Sequence, residues 1–188
     1  MPGRVYDQLA TIAADQHGLV TSADARDAGV DPQRLIEMAY RGTIERVSRG
    51  VYRFPLVGTE PGLEQLAEAT LWPRRTGVLS HDTALDLHEL CDLNPARIHV
   101  TVPASFRLRR ADVPRVYAIH RRDLDEIDKT LHEGIPVVTP QRAILDGIES
   151  GIRTDLLRQA MDHASERGLL RGAKLKDLRK RLAQRGRP

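Results

Sequence analysis

The sequence predicts an α+β protein: an N-terminal winged helix-turn-helix, then a small mixed α/β domain with a basic helical C-terminus. Three observations support this. Three short helical patterns occur within residues 4–41, two β-type runs follow them directly, and helices mix with short strands afterwards. The predicted domains are residues 1–55, a linker at residues 56–62, and residues 63–188.

The first domain is built from three predicted helices and a hairpin. Glycines separate the helices, and Asp31-Pro32 opens the third, since aspartate can cap a helix and proline at its first position loses no useful N–H. The turn Ser48-Arg49-Gly50 joins the two β-type runs into a hairpin. The predicted helices are residues 4–16, 22–28 and 32–41, and the predicted strands are residues 44–47 and 51–54.

The third helix has two different faces at about 100° per residue. Leu35, Ile36, Met38 and Ala39 form an apolar arc that we expect to pack inward. The opposite arc consists of Gln33, Arg34, Glu37, Tyr40 and Arg41. Arginine and glutamine suit base edges in a major groove, and a hairpin can reach phosphates or the adjacent minor groove. The predicted DNA contacts are therefore that polar arc together with Arg46, Ser48, Arg49 and Arg53 of the hairpin.

The second half reads as helices and short strands around a small sheet. We expect helices at residues 63–71, 80–90, 140–148, 154–166 and 174–185, and strands at residues 98–102, 116–120 and 135–138. Ser80 is the expected cap of its helix, and the acidic run of residues 123–128 is expected to be a solvated helix face. Arg107, Arg109 and Arg110 form a basic loop that suits either DNA backbone or an acidic partner.

Charge is distributed unevenly along the chain. Residues 1–58 have a net charge of zero, residues 59–166 of −5 and residues 167–188 of +8. This segregation favours separate partners for separate segments. The stripe Leu175, Leu178 and Leu182 on the basic tail suits either a partner's groove or the protein's own core.

Enzymatic and metal chemistry find little support in the sequence. Adjacent Ser80, His81 and Asp82 cannot converge as a catalytic triad must. The spacing of His81, His88, Cys91 and His99 matches no known zinc pattern. We therefore expect no enzyme activity, no cofactor and no metal. The single cysteine, the lack of a long apolar run and the lack of a signal peptide predict a cytoplasmic protein without a membrane span.

Two segments carry a family resemblance. The sequence G-L-V-T-S-A-D-A-R-D-A-G at residues 18–29, followed by R-G-T-I-E-R-V-S-R-G-V-Y-R at residues 41–53, resembles the AbiEi family of type IV antitoxins and AbiEi-like winged-helix regulators. Residues 134–146 also resemble a strand-to-helix junction of that family. The resemblance implies an antitoxin that represses its own operon by binding promoter DNA and counteracts a nucleotidyltransferase-like toxin.

Two alternatives stay open at this point. One is a winged-helix regulator without a toxin partner, and the other is a protein-binding antitoxin that no longer touches DNA.

Overall fold

The computed structural model describes residues 3–55, 62–107 and 113–185. The chain divides into two compact units, Met1–Gly77 and Val78–Pro188. Of the linker expected at residues 56–62, only Gly62 is among the described residues. The helix after it, assigned above to the second domain, belongs to the first unit.

The first unit has the element order of a winged helix. Its elements are α1 (Arg4–Ala14), β1 (Leu19–Thr21), α2 (Ser22–Asp27), α3 (Gln33–Tyr40), β2 (Glu45–Ser48), β3 (Val51–Arg53) and α4 (Leu63–Leu71). β3 lies between β1 and β2 in an antiparallel sheet. The three predicted helices and the hairpin are confirmed, while β1 was missed because its three residues show no alternation and are all buried.

Local hydrogen bonds explain why α2 and α3 begin where they do. Thr21 and Asp24 form a capping box, in which the Thr21 hydroxyl accepts from the Asp24 N–H and the Asp24 carboxylate accepts from the Thr21 N–H at 2.7 Å. The Asp31 carboxylate accepts from the Gln33 N–H at 2.9 Å. Both short helices are therefore fixed at their first turn. For α3 this is the start that Asp31-Pro32 predicts.

Ion pairs explain why α4 joins the first unit. Arg53 of β3 pairs with Glu64 of α4. Arg75, shortly after α4, pairs with Asp24 at 2.6 Å and with Asp27 at 2.7 Å. The domain boundary predicted from composition, at residues 56–62, lies between the partners of each of these ion pairs.

The core of the first unit is small and continuous. Leu9, Leu35 and Phe54 are fully buried, and the rings of Tyr6 and Phe54 lie 5.2 Å apart. The inward prediction for Ile36 is wrong, because this side chain is 48% exposed. An eight-residue helix that contacts the core through Leu35 leaves the adjacent position at the edge of the contact.

The second unit is a mixed α/β layer. Its elements are β4 (Val78–Leu79), α5 (His81–Leu87), β5 (Ile98–Val102), β6 (Tyr117–Arg121), β7 (Lys129–His132), β8 (Ile135–Val138), α6 (Pro140–Ser150), α7 (Thr154–Glu166) and α8 (Gly172–Gln184). The sheet order is β6-β5-β4-β8-β7, with parallel pairs β5–β6 and β4–β8. β4 and β7 were not predicted, since one has two residues and the other lacks an apolar alternation.

Two local expectations for this unit need correction, and burial decides between two alternatives that the sequence left open. The Ser80 side chain makes no capping hydrogen bond to α5. The acidic run contains only a short 3-10 turn, Glu126–Asp128, rather than a helix face. The stripe Leu175, Leu178 and Leu182 is buried, and α8 packs on α6 and α7, so this stripe belongs to the protein's own core. Among the described residues, no helix is both long and apolar enough to cross a membrane.

Candidate nucleic-acid interface and a histidine cluster

The polar arc of α3 faces solvent. Tyr40 is 94% exposed, and Gln33, Arg34 and Arg41 are also exposed, whereas Glu37 is half-buried. Leu35 holds the helix from the opposite side by full burial. The arrangement therefore presents four of the five predicted side chains on an open surface.

Most of these side chains are free to take an external partner. Arg34 and Glu37 pair with each other at 3.1 Å, an exposed contact that contributes little to stability. Within the described part of the chain, the side chains of Gln33, Tyr40 and Arg41 have no hydrogen-bond partner. A ligand can therefore engage them without breaking an internal contact.

Two of the four hairpin side chains predicted to contact DNA are accessible and have no carboxylate partner among the described residues. Arg49 is exposed, and Arg46 donates only to the backbone carbonyl of Ser48, at 3.4 Å. The Ser48 hydroxyl oxygen is buried, which removes it from the accessible surface. Arg53 pairs with Glu45 at 2.8 Å and with Glu64, so its charge is already neutralised by two carboxylates. Arg46 and Arg49 remain the candidates for phosphate contact.

Four arginines share one groove in the first unit. Arg26, Arg46, Arg49 and Arg74 line an open cavity of about 590 Å³, which Ile36 also borders. Within the described residues, none of the four pairs with a carboxylate. Sequence reasoning missed Arg26 and Arg74, because α2 and the turn after α4 bring them beside the hairpin and no spacing signal marks that approach.

The predicted secondary basic loop is only partly described. Arg107 is exposed at the end of a described segment of the second unit. Arg109 and Arg110 lie outside the described residues. Their expected contact with DNA or a partner stays a prediction.

Three histidines of the second unit lie close together, and they differ from the set of His81, His88, Cys91 and His99 that the sequence analysis considered. His81, His99 and His120 each place a ring nitrogen within 4.8 Å of the other two, a group able to hold a metal ion. His88 is occupied elsewhere by a 2.8 Å hydrogen bond with the Val138 carbonyl. Cys91 is buried outside the group.

Burial keeps these imidazoles neutral. It lowers the pKa of His81 to about 3 and that of His120 to about 4, and neighbouring histidines and Arg122 act in the same direction. Burial also lowers the pKa of His99, while Asp82 opposes the change. Nearby, burial raises the pKa of Asp146 to about 7, against the attraction of Arg122. Neutral rings keep a lone pair for a ligand at physiological pH.

Acidification is expected to destabilise the protein, because these buried histidines resist protonation in the folded state. The protein is first treated with a chelator so that no metal ion is bound to them. The unfolded chain binds protons below pH 6.5, whereas folded His81 and His120 do so only near pH 3 and 4. Lowering the pH from 7.5 to 5 therefore reduces the free energy of unfolding by about 2 kcal/mol for each of these two histidines. Asp146 acts oppositely, because its raised pKa makes the folded state the better proton binder between pH 4 and 7.

A variant separates these contributions. The free energy of unfolding is measured with urea at pH 7.5 and pH 5. On acidification it should fall by about 2 kcal/mol less in His120→Gln than in the parent protein. An identical loss in both proteins would show that His120 is protonated in the folded state.

The comparisons with known proteins concern the fold and the first unit. The crystal structure of the RV2827C protein from Mycobacterium tuberculosis is similar, with a TM-score of 0.54 and 18% identity over 100% of this chain and 73% of that one. At this identity the likeness shows the fold alone. No curated protein sequence matches the chain.

A family match covers about a quarter of the chain. The family described as "Transcriptional regulator, AbiEi antitoxin" matches residues 7–55. These residues run from α1 through β3 and include the whole predicted interface of α3 and the hairpin. The resemblance seen in the sequence is confirmed over this segment: residues 7–55 are similar to the AbiEi antitoxin family of transcriptional regulators.

Proposed function

We propose that this protein is a DNA-binding repressor of its own operon that reads double-stranded promoter DNA through the first unit. The observation that carries the proposal is the groove of four arginines beside the free polar arc of α3. Guanidinium groups without a carboxylate partner attract phosphates, and the release of condensed counterions then drives binding. The family match to transcriptional regulators over the same residues supports this reading.

The two surfaces have different roles in the proposal. Gln33, Tyr40 and Arg41 of the α3 arc lie toward the bases of a major groove, where arginine and glutamine discriminate between base pairs. Arg46 and Arg49 hold the phosphate backbone and fix the position of the helix. Arg53 and Ser48, also predicted from sequence to touch DNA, are not part of this proposal, because Arg53 pairs with two carboxylates and the Ser48 hydroxyl oxygen is buried.

A pair of alanine variants distinguishes the two roles. Arg41→Ala should weaken binding to the chain's own upstream region by about 1–3 kcal/mol and leave binding to random DNA almost unchanged. Arg49→Ala should weaken binding to both and reduce the salt slope by about 1. Fluorescence anisotropy over a salt series measures both quantities.

The control removes an equal charge elsewhere. Arg158 is an exposed arginine of α7 in the second unit, and Arg158→Ala should keep the parent affinity and slope. The proposal of DNA binding is wrong if the parent protein fails to bind its upstream region even at low salt.

The antitoxin role is a second part of the proposal, with a nucleotidyltransferase-like toxin as the partner. The family description names an antitoxin, and residues 59–166 have a net charge of −5, in contrast to the +8 of residues 167–188. A toxin that handles nucleotides needs a basic cleft, and an acidic surface can steer toward that cleft and cover it. The protein acts by binding rather than by catalysis, and it does so in the cytoplasm, where its promoter is.

Co-expression of the full chain with the product of the neighbouring gene tests this part. A stable complex that relieves growth inhibition is the expected result. If the full chain neither binds that product nor relieves its toxicity, the regulator without a toxin partner is the correct description.

A further inference from the structure

The topology of the second unit brings three histidines to one edge of its sheet. His99 lies on β5 and His120 on the edge strand β6, and the register pairs His120 with Thr101, two residues beyond His99. Side chains two residues apart share a face of the sheet, so His99 and His120 project to the same side. His81 begins α5, which packs against β5.

The backbone at His81 is strained in a way that serves this cluster. Its φ of 51° lies in the left-handed region, which is unfavourable for a residue other than glycine. Such conformations persist where the surrounding structure enforces them, and they concentrate at binding sites. Here the result is a ring stacked on His120 with 3.5 Å between centroids.

Distances within the cluster resemble those between ligands of one metal ion. Nε2 of His120 lies 3.2 Å from Nδ1 of His99. Tetrahedral zinc with Zn–N bonds of 2.0–2.1 Å separates two ligand nitrogens by about 3.3 Å. The ring centroid of His99 lies 5.2 Å from that of His120 and 5.9 Å from that of His81. Two imidazoles bound to one zinc ion are expected to have centroids roughly 5 Å apart.

Ser80 and Asp146 lie beside the His81 ring in the way that hydrogen-bond partners lie beside metal-bound histidines. Nδ1 of His81 lies 2.9 Å from the Ser80 hydroxyl, which also accepts from Thr101 at 2.7 Å. Oδ2 of Asp146 lies 3.8 Å from the same nitrogen, is buried, and has no hydrogen-bond partner. Metal-bound histidines usually give their second nitrogen to a hydroxyl, carbonyl or carboxylate of this kind.

We propose that His81, His99 and His120 bind a divalent transition metal ion, with Zn²⁺ as the preferred ion. Three neutral imidazoles suit zinc better than magnesium or calcium, which take oxygen ligands. No described carboxylate joins the three nitrogens at the same spacing. The fourth position is therefore open to water or to an external ligand.

Binding requires one movement. The His81–His120 stack is closer than two imidazoles on one tetrahedral ion allow, so the His81 ring turns about its side-chain bonds when the ion enters. Nε2 of His81 then faces the ion, because Ser80 and Asp146 occupy the Nδ1 side. The ion ties the start of α5 to β5 and to the edge strand β6.

Metal titration of the full chain, purified without a histidine tag and treated with chelator, tests the proposal. Calorimetry with Zn²⁺ should show one ion per chain, and Co²⁺ should give the intense visible absorption of a tetrahedral site. His99→Gln and His120→Gln should each weaken binding at least tenfold. His163→Gln, a half-buried histidine of α7 outside the cluster, should leave it unchanged.

A measurement on the parent protein guards against variants that fail to fold. Among the seven histidines, three ring signals in the NMR spectrum should shift on addition of Zn²⁺. The proposal is overturned if no site fills, if both glutamine variants bind zinc like the parent, or if the shifting signals belong to other histidines.

Discussion

Reversal of two charges in the arginine groove, Arg46→Glu with Arg49→Glu, is expected to abolish detectable binding to the upstream DNA. Each lost phosphate contact reduces the salt slope by about 0.9, and each new carboxylate adds repulsion. The combined loss should exceed about 100-fold at moderate salt. Neither arginine has a carboxylate partner among the described residues, so the fold should survive both changes.

A second double variant controls for net charge. Arg158→Glu with Lys176→Glu makes the same change at exposed positions of the second unit. Electrophoretic mobility shifts at several salt concentrations compare the two proteins. An equal loss in both would show that overall charge, rather than the groove, governs binding.

Removal of the buried Asp146 carboxylate is expected to destabilise the second unit more than removal of the exposed carboxylate beside it. Asp146 is 1% exposed, and its Oδ1 accepts from Arg142 at 2.5 and 2.8 Å and from Arg122 at 3.1 Å. Asp146→Ala leaves two guanidinium groups without this partner. Both guanidinium groups keep Glu149 as a partner and Arg122 is 40% exposed, so the expected loss is about 1–3 kcal/mol.

Glu149 provides the matched control. It accepts from the same Arg122 at 2.7 Å and Arg142 at 3.3 Å, but its side chain is 42% exposed. Glu149→Ala should therefore cost less than about 1 kcal/mol. Urea unfolding at pH 8, above the raised pKa of about 7 at Asp146, measures both variants. Similar losses would mean that burial adds nothing to the Asp146 network.

Much of the first unit follows from local sequence signals. The Asp31-Pro32 start of α3 and the turn around Arg49 depend on backbone chemistry that a few neighbouring residues determine. The exposed arc of α3 follows from the helical period. The roles of Arg53 and Ser48 do not, because the partner Glu64 and the burial of a hydroxyl arise only from tertiary packing.

The histidine cluster shows the same limit in the second unit. The sequence analysis considered His81, His88, Cys91 and His99 and found no metal-binding spacing among them, and only His81 and His99 of that set belong to the cluster. His120 lies 21 residues after His99 and joins it through the parallel register of β5 and β6. Such a register depends on sheet order, which a single sequence does not reveal.

Site-directed cleavage of DNA from α3 tests the central claim most directly. Cys91 is buried, and burial raises the pKa of its thiol to about 11, so a thiol reagent should favour an exposed cysteine introduced by Tyr40→Cys. An iron chelate attached there should cut the upstream DNA at a confined position, on both strands around one major groove. A chelate attached through Asp155→Cys, in the second unit, is the control for generation of radicals in solution. If the protein with the chelate at position 40 binds the upstream DNA but yields no cuts, or only the diffuse cuts seen from position 155, then α3 does not read DNA and the proposed function is wrong.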